Sequence, residues 1–357
     1  MLDRVGEKIS LQGLSFVIPC FLLSIISLLI LWSIDRQYFA KQLMFWIISW
    51  VVYFLITQAK FRLDNLGNLA FAIFVGVIIL LVLPLIFGQV IRGSSRWIFI
   101  KELSIQPSEF IKPFYVIALA SITSKIDMSR IKSFAIVIAM IALPTLLILI
   151  QPDLGSALQI SLTGGLILFF SKAKKSWLTI FAVGAGFLAF LGWNFIVADY
   201  QKERISYFLH PEKDPLGKGY NAIQVKITVG SGAFFGNGLG QGGQTRLAFL
   251  PERHTDFIFA SLAESFGFIG ILVVITLYFL LFWQIYRKMI GSKDDFHFLA
   301  TLGIGFYLWF QMIVNIGMNL GIFPITGLAL PLFSLGGSSL LSTMIALGII
   351  SKVDANV

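Results

Sequence analysis

A carboxylate at the mouth of an apolar helix, with arginines converging from other segments, is a place where group transfer could be done. Asp256 is such a residue. It closes the run Leu250-Pro251-Glu252-Arg253-His254-Thr255 and opens an apolar stretch that begins at Phe257. Glu264 follows eight residues later, about 12 Å farther along the same helix. Arg96, Arg204, Arg246 and Arg253 come from segments expected on the same side as Asp256. A base for an attacking hydroxyl, with positive charge for departing phosphates, is what a glycosyl transfer with a pyrophosphate leaving group requires. An aspartate at this place could also simply cap the helix.

Two further clusters carry ionisable residues next to apolar runs, where they are expensive and point to function. Gln106-Pro107-Ser108-Glu109 is followed by Lys112, three residues after the glutamate and so on the same helix face. The pair can serve as an internal ion pair, and pairing is compatible with function. Gln151-Pro152-Asp153-Leu154-Gly155 places an aspartate at a helix start after a proline. Asp153 can cap that helix or hold a cation such as Lys112 from a neighbouring helix. Other chemistries are poorly supported. Three histidines and the lone Cys20 make no zinc set. Gly336-Gly337-Ser338-Ser339 lacks nucleophile-elbow spacing and reads as small residues for close helix packing. The glycine-rich passage from Gly230 to Gly243 is no nucleotide loop, because no Gly-Lys-Ser/Thr ends it. Its interleaved Phe and Leu suit packing against the rest of the chain.

The elements that must position these residues are membrane spans. The chain has 357 residues, 57% hydrophobic and only 13% charged, with a mean hydropathy of +0.87. Uncharged runs near 20 residues recur throughout, each long enough to cross a hydrocarbon core of about 30 Å. Their continuity, rather than alternation, selects helices over a barrel. Ten spans are predicted near 14–32, 39–58, 67–88, 105–122, 133–150, 154–171, 176–198, 257–286, 298–321 and 329–350. The expectation is an all-α polytopic membrane protein, one domain over residues 1–357, with a long polar loop at 199–256 between the seventh and eighth helices. The first run lacks a following small-residue cleavage site and reads as a retained helix.

The net charge of +9 sets orientation and does not signal nucleic acid. Lys60, Arg62, Lys125, Arg130, Lys132, Lys172, Lys174, Lys175, Arg287, Lys288 and Lys293 fall in loops that become cytoplasmic if the N-terminus is inside. Both termini are then expected in the cytoplasm and the 199–256 loop outside. The absence of a sequence repeat between halves argues mildly against a duplicated transporter.

Together these segments resemble the SEDS family of integral-membrane peptidoglycan glycosyltransferases, and within it the elongation branch more than the division branch. The resemblance rests on Arg96-Trp97, Gln106 to Glu109 with Lys112, and Gln-Pro-Asp-Leu-Gly at 151–155. It extends over Arg204, the Gly219-Tyr220-Asn221 and Gly230-Ser231-Gly232 steps, and Leu250 through Phe259. Asn315, Gly317, Met318, Pro324, Thr326, Gly327, Pro331 and Gly336 to Ser339 complete it. Three positions depart from the pattern: Ser265 where a second acid is common, Asn237 for a lysine, and Lys101 for a glycine.

The resemblance implies a ten-helix bundle in the bacterial cytoplasmic membrane that binds lipid II from outside. It implies polymerisation into β-1,4-linked glycan with release of undecaprenyl pyrophosphate. The family's base maps onto Asp256, and its other important polar positions onto Glu109, Lys112 and Asp153. Arg96, Lys112, Arg204, Arg246 and Arg253 are the candidates for holding pyrophosphate. The implied partners are a class B penicillin-binding transpeptidase, other elongation-complex membrane proteins and membrane lipid. A divalent cation, Mg²⁺ or Mn²⁺, would shield the pyrophosphate, although no motif specifies one. Two rival readings are a lipid II flippase, which needs polar groups in both halves of the membrane, and a scaffold that only recruits the transpeptidase.

Overall fold

A computed structural model describes residues 11–353 except 61, 92–93, 101–102, 196–198 and 218, with Arg204 among several helix and strand residues described by their backbone alone. The chain opens with α1 (Leu11–Ile34), α2 (Arg36–Gln58), a short α3 (Leu63–Asn68) and α4 (Ala70–Phe87). Three strands follow, β1 (Gln89–Ile91), β2 (Ser94–Ile100) and β3 (Leu103–Ile105), then α5 (Pro107–Phe110) and α6 (Lys112–Lys125). Next come α7 (Ile131–Ile150), α8 (Leu154–Phe169), α9 (Lys175–Phe195), α10 (Asp199–Leu209), α11 (Tyr220–Ser231) and α12 (Gly243–Arg246). The chain ends with α13 (Ile258–Ile290), α14 (Asp295–Asn319) and α15 (Gly337–Ser351).

Each predicted span holds a helix. Among the described residues, six helices are long and apolar enough to cross a membrane (α1, α2, α4, α7, α13 and α14), while α8 and α15 are shorter apolar helices. Large apolar side chains face outward on these helices, Leu55, Phe71 and Phe279 among them, as lipid requires. Where helices touch, small residues admit close approach. A Cβ on Gly164 would lie 2.3 Å from the Tyr115 hydroxyl, and one on Gly303 would lie 2.6 Å from Val116, so α8 and α14 both press on α6. At one end of the bundle, lysines close helix C-termini: Lys125 Nζ donates to Gly67 O (2.9 Å), Lys288 to Val353 O (2.9 Å) and Lys352 to Thr57 O (2.6 Å).

The structure revises three expectations. The segment before the fourth span is an antiparallel meander in the order β1-β2-β3, with Ile98 opposite Ile105, which puts Arg96 on a strand. The fourth span is broken at Ile111, between α5 and α6. Pro113 cannot donate to the Glu109 carbonyl, and the Ser342 hydroxyl donates there instead (2.8 Å). The tenth span starts at Gly337 rather than 329, because Pro324, Gly327 (φ 75°), Pro331 and Leu332 (φ 62°) keep the preceding stretch out of a helix.

The 199–256 segment contains α10, α11 and α12 rather than being plain loop, and α11 packs against α13 and α14. Its glycine-rich part repairs a break in α13. At Gly267 (φ 62°, ψ −157°) the helix unwinds, in a region of backbone space that only glycine enters readily. Its freed groups pair with the passing chain. Asn237 N donates to Glu264 O (2.9 Å), Gly238 N to Ser265 O (3.0 Å), and Phe268 N to Ala233 O (3.0 Å). Interrupted backbone at membrane depth persists only when its groups are paired in this way. A Cβ on Gly267 would sit 2.4 Å from Gly236 N. Gly267→Ala is therefore expected to destabilise the chain by about 1–3 kcal/mol, read as a lower midpoint of thermal unfolding in detergent. An unchanged midpoint would contradict this account of the break.

Candidate active site

Asp256 lies in the turn that feeds α13, and its backbone is held from three directions. The His254 carbonyl accepts from Leu335 N (3.0 Å), the Thr255 carbonyl from Ser334 Oγ (2.7 Å), and the Asp256 carbonyl from Nδ2 of Asn315 (3.2 Å) and Asn319 (3.0 Å). Phe257, buried with Val225, Leu250 and Ala260, pins the next residue. The N-cap of α13 is Phe257, so the carboxylate of Asp256 is not that helix's N-cap. The 326–328 stretch runs past it: a Cβ on Gly327 would be 3.8 Å from Asp256 Oδ2. Two residues upstream, the His254 ring stacks on Tyr38 of α2, with centroids 4.0 Å apart and planes at 9°. Burial holds the His254 pKa below the ordinary imidazole value, with Arg253 pushing the same way and Glu252 and Asp35 opposing.

Asp153 performs both functions foreseen for it, with a different cation. It caps α8, accepting from Ser156 N (3.1 Å) and Ser156 Oγ (2.8 Å), and it also accepts from Gln106 Nε2 (3.1 Å). The cation beside it is Arg96, with Nη1 3.6 Å from Oδ1, and not Lys112. Arg96 Nε and Arg253 Nε are buried donors without a hydrogen-bond partner among the described residues, which leaves each able to accept an anion as partner. A Cβ on Gly155 would lie 3.1 Å from Thr326 O, so the start of α8 meets the same 326–328 stretch that borders Asp256. Arg96, Asp153 and Asp256 thus share one end of the bundle.

Lys112 is committed to Glu109, Nζ to Oε1 at 2.5 Å, with both residues buried at 1% and 6% exposure. Gln311 Nε2 reaches Glu109 Oε2 (3.4 Å) and Ser339 Oγ (3.4 Å), and Gln159 Nε2 donates to Gln311 Oε1 (3.3 Å). Gln311, Asn315 and Asn319 stand four residues apart on α14, forming one polar stripe about 12 Å long. Its inner end holds Glu109 and its outer end holds Asp256. Spacing of this kind within an apolar span was the available signal for Gln311 and Asn319.

The remaining candidates are less closely gathered. Arg246 is exposed at the end of α12, Arg253 is half-buried, and the side chain of Arg204 lies outside the described residues. Glu264, deeper along α13, has a structural engagement. It is buried and accepts from Gln244 N (2.8 Å), Thr245 N (2.9 Å) and the Thr245 hydroxyl, anchoring α12 onto α13. Gly242 leaves room for this, since a Cβ there would be 2.2 Å from Glu264 Cδ.

Among the described residues, one group could hold a metal ion: Asp64, Asp294 and His297, with ligand atoms within 4.8 Å of one another. Lys293 already pairs with Asp64 at 3.0 Å and His297 Nδ1 meets Asp294 Oδ1 at 2.8 Å, so the members of the group are already engaged with partners. Burial pushes the Asp294 pKa up, but hydrogen bonds from His297 and the charges of His297 and Lys293 outweigh it and hold the carboxyl below its ordinary value. His297 and Asn319 are 22 residues apart on α14, about 33 Å, which places this cluster at the opposite end from Asp256.

A sequence model of the FtsW/RodA/SpoVE family, described as a cell cycle protein, matches residues 9–357. The chain is 39% identical over 281 residues to peptidoglycan glycosyltransferase MrdB of Escherichia coli strain K12, covering 78% of this chain and 76% of MrdB. It is 40% identical over 285 residues to a probable peptidoglycan glycosyltransferase FtsW of Trichlorobacter lovleyi, covering 78% and 74%. It superposes with a TM-score of 0.80 and 28% identity on a chain of a peptidoglycan synthase complex studied for structural coordination of polymerization and crosslinking, over 94% and 95% of the two chains. Rod shape determining protein RodA of Thermus thermophilus superposes with a TM-score of 0.70 and 26% identity, over 94% of each chain.

Proposed function

The chain belongs to the FtsW/RodA/SpoVE family, and on that premise we propose that it is a multi-pass membrane glycosyltransferase that polymerises lipid II into β-1,4-linked peptidoglycan during cell-wall elongation. The observation that carries this reading is the placement of Asp256, whose backbone carbonyl is held by Asn315 and Asn319 and whose carboxylate lies beside Gly327, at the end of the bundle that also carries Arg96 and Asp153. Asp256 takes the proton from the acceptor 4-hydroxyl as that oxygen attacks the anomeric carbon of the donor, and undecaprenyl pyrophosphate leaves. Arg96 and Arg253, whose buried Nε groups have donors to spare, are the first candidates to meet the leaving phosphates. Arg204 and Arg246, both in the 199–256 segment, remain further candidates for the same charge. Lys112 and Glu109, paired with each other at the inner end of the α14 polar stripe, support the site from beneath.

The chain acts as a single domain, with both termini cytoplasmic and the Asp256 end outside. A divalent cation, magnesium or manganese, belongs to this reading as a shield on the substrate's pyrophosphate; the Asp64 group lies too far away to supply it. The partner is a class B penicillin-binding transpeptidase that cross-links the strands, in company with other elongation-complex membrane proteins and membrane lipid. A single displacement inverts the anomeric carbon. Product analysis is therefore expected to find only β-linked glycan and an unmodified Asp256, whereas an α-linked product or a glycosyl adduct trapped on Asp256 would defeat the scheme.

A further inference from the structure

The first turn of α13 is joined through a side chain of α14. In a helix continuing back through Asp256, the Ala260 N–H would donate to the Asp256 carbonyl. Here the Ala260 N–H donates to Asn319 Oδ1 (3.0 Å), and Asn319 Nδ2 donates to the Asp256 carbonyl (3.0 Å). One carboxamide therefore serves both the donor and the acceptor of a single helical rung. Asn319 is fully buried and sits at the C-terminal end of α14. Its Nδ2 also donates to Asn315 O (2.8 Å), which ties the carboxamide to the helix that carries it. Asn315 adds a second bond to the Asp256 carbonyl and another to Leu328 O (2.8 Å), the neighbour of Gly327. Few side chains can do this. The site needs one acceptor and one donor on a short stem; aspartate offers only acceptors when ionised, leucine offers neither, and glutamine is a methylene too long.

We propose that Asn319 is a positioning residue for the transfer reaction. By standing in the rung between Asp256 and Ala260 it keeps Asp256 outside α13, with the carboxylate directed at the Gly327 turn. Without the carboxamide, the Ala260 N–H loses its acceptor and the Asp256 carbonyl keeps only its longer bond from Asn315 (3.2 Å), so the direct rung can form, which draws Asp256 into the helix and swings its carboxylate away. This inference rests on Asp256 being the base, and its test separates the two claims.

The test is steady-state polymerisation of labelled lipid II by the full chain with its transpeptidase partner, resolved into kcat and KM and normalised to folded, partner-bound protein. Wild type, Asp256→Asn, Asn319→Leu and Asn319→Asp are compared. Both Asn319 variants are expected to lose about 10–100-fold in kcat, as a misplaced catalytic group does, with KM for lipid II within about twofold because no substrate contact is removed. Asn319→Asp keeps the native shape and keeps the test open should Asn319→Leu fail to fold. Wild-type kcat in folded Asn319 variants, alongside inactive Asp256→Asn, overturns the positioning role and leaves the base standing. A rise in KM with kcat intact also overturns it. Full activity of Asp256→Asn removes the base, and this inference with it.

Discussion

Asp256→Asn is expected to lower the rate of lipid II polymerisation by about 10²–10⁴-fold, the usual contribution of a positioned general base. The substitution keeps size and shape and removes only the charge and the ability to take a proton. The carbonyl of residue 256 would still be held by Asn315 and Asn319, and its neighbours by Ser334 and Leu335. Folding and partner binding should therefore be close to wild type. Because the base acts in the transition state, kcat should carry the loss. A variant that folds, binds its partner and polymerises at the wild-type rate would place the base elsewhere.

Glu109→Ala is expected to be the most damaging single change for stability, at about 3–5 kcal/mol, because it leaves the Lys112 ammonium buried without its counter-charge. Exchanging both residues for apolar ones of similar volume, Glu109→Leu with Lys112→Met, should recover most of that loss, since a buried pair often contributes little over a hydrophobic replacement. Denaturant unfolding of Glu109→Leu, Lys112→Met and the double variant, treated as a double-mutant cycle, gives the coupling directly. Additive effects would contradict the pairing. Activity of the double variant adds a second result. Gln311 links Glu109 to the stripe that ends at Asp256, so a folded but weakly active enzyme is expected rather than full recovery.

The spans were readable because lipid leaves a coarse mark: each uncharged run near 20 residues became a helix. The boundaries failed where proline and glycine act through tertiary partners. Pro113 breaks the fourth span only in the sense that Ser342, more than two hundred residues away in sequence, takes over the Glu109 carbonyl. Pro324 and Pro331 delay the tenth. The meander at 89–105 leaves little mark in the sequence, since three short strands give too little alternation to notice. In the site, the Glu109–Lys112 pair followed from helical spacing and the Asp153 cap from its position after Pro152. The partner of Asp153 did not, because Arg96 reaches it from a strand that only the fold brings near. The amides that hold the Asp256 carbonyl were equally hidden: their polar spacing on α14 was visible, but the carbonyls they meet lie in the turn before α13 and in the 326–328 stretch.

The most direct test of the central claim is whether the purified wild-type chain, with its transpeptidase partner and a divalent cation supplied, joins labelled lipid II into glycan. A ladder of β-linked polymer is expected, left intact by an active-site block of the transpeptidase, because polymerisation belongs to this chain. Unchanged lipid II in that assay, together with its movement from one leaflet to the other in proteoliposomes containing this chain, would contradict the account and make the protein a carrier of lipid II rather than its polymerase.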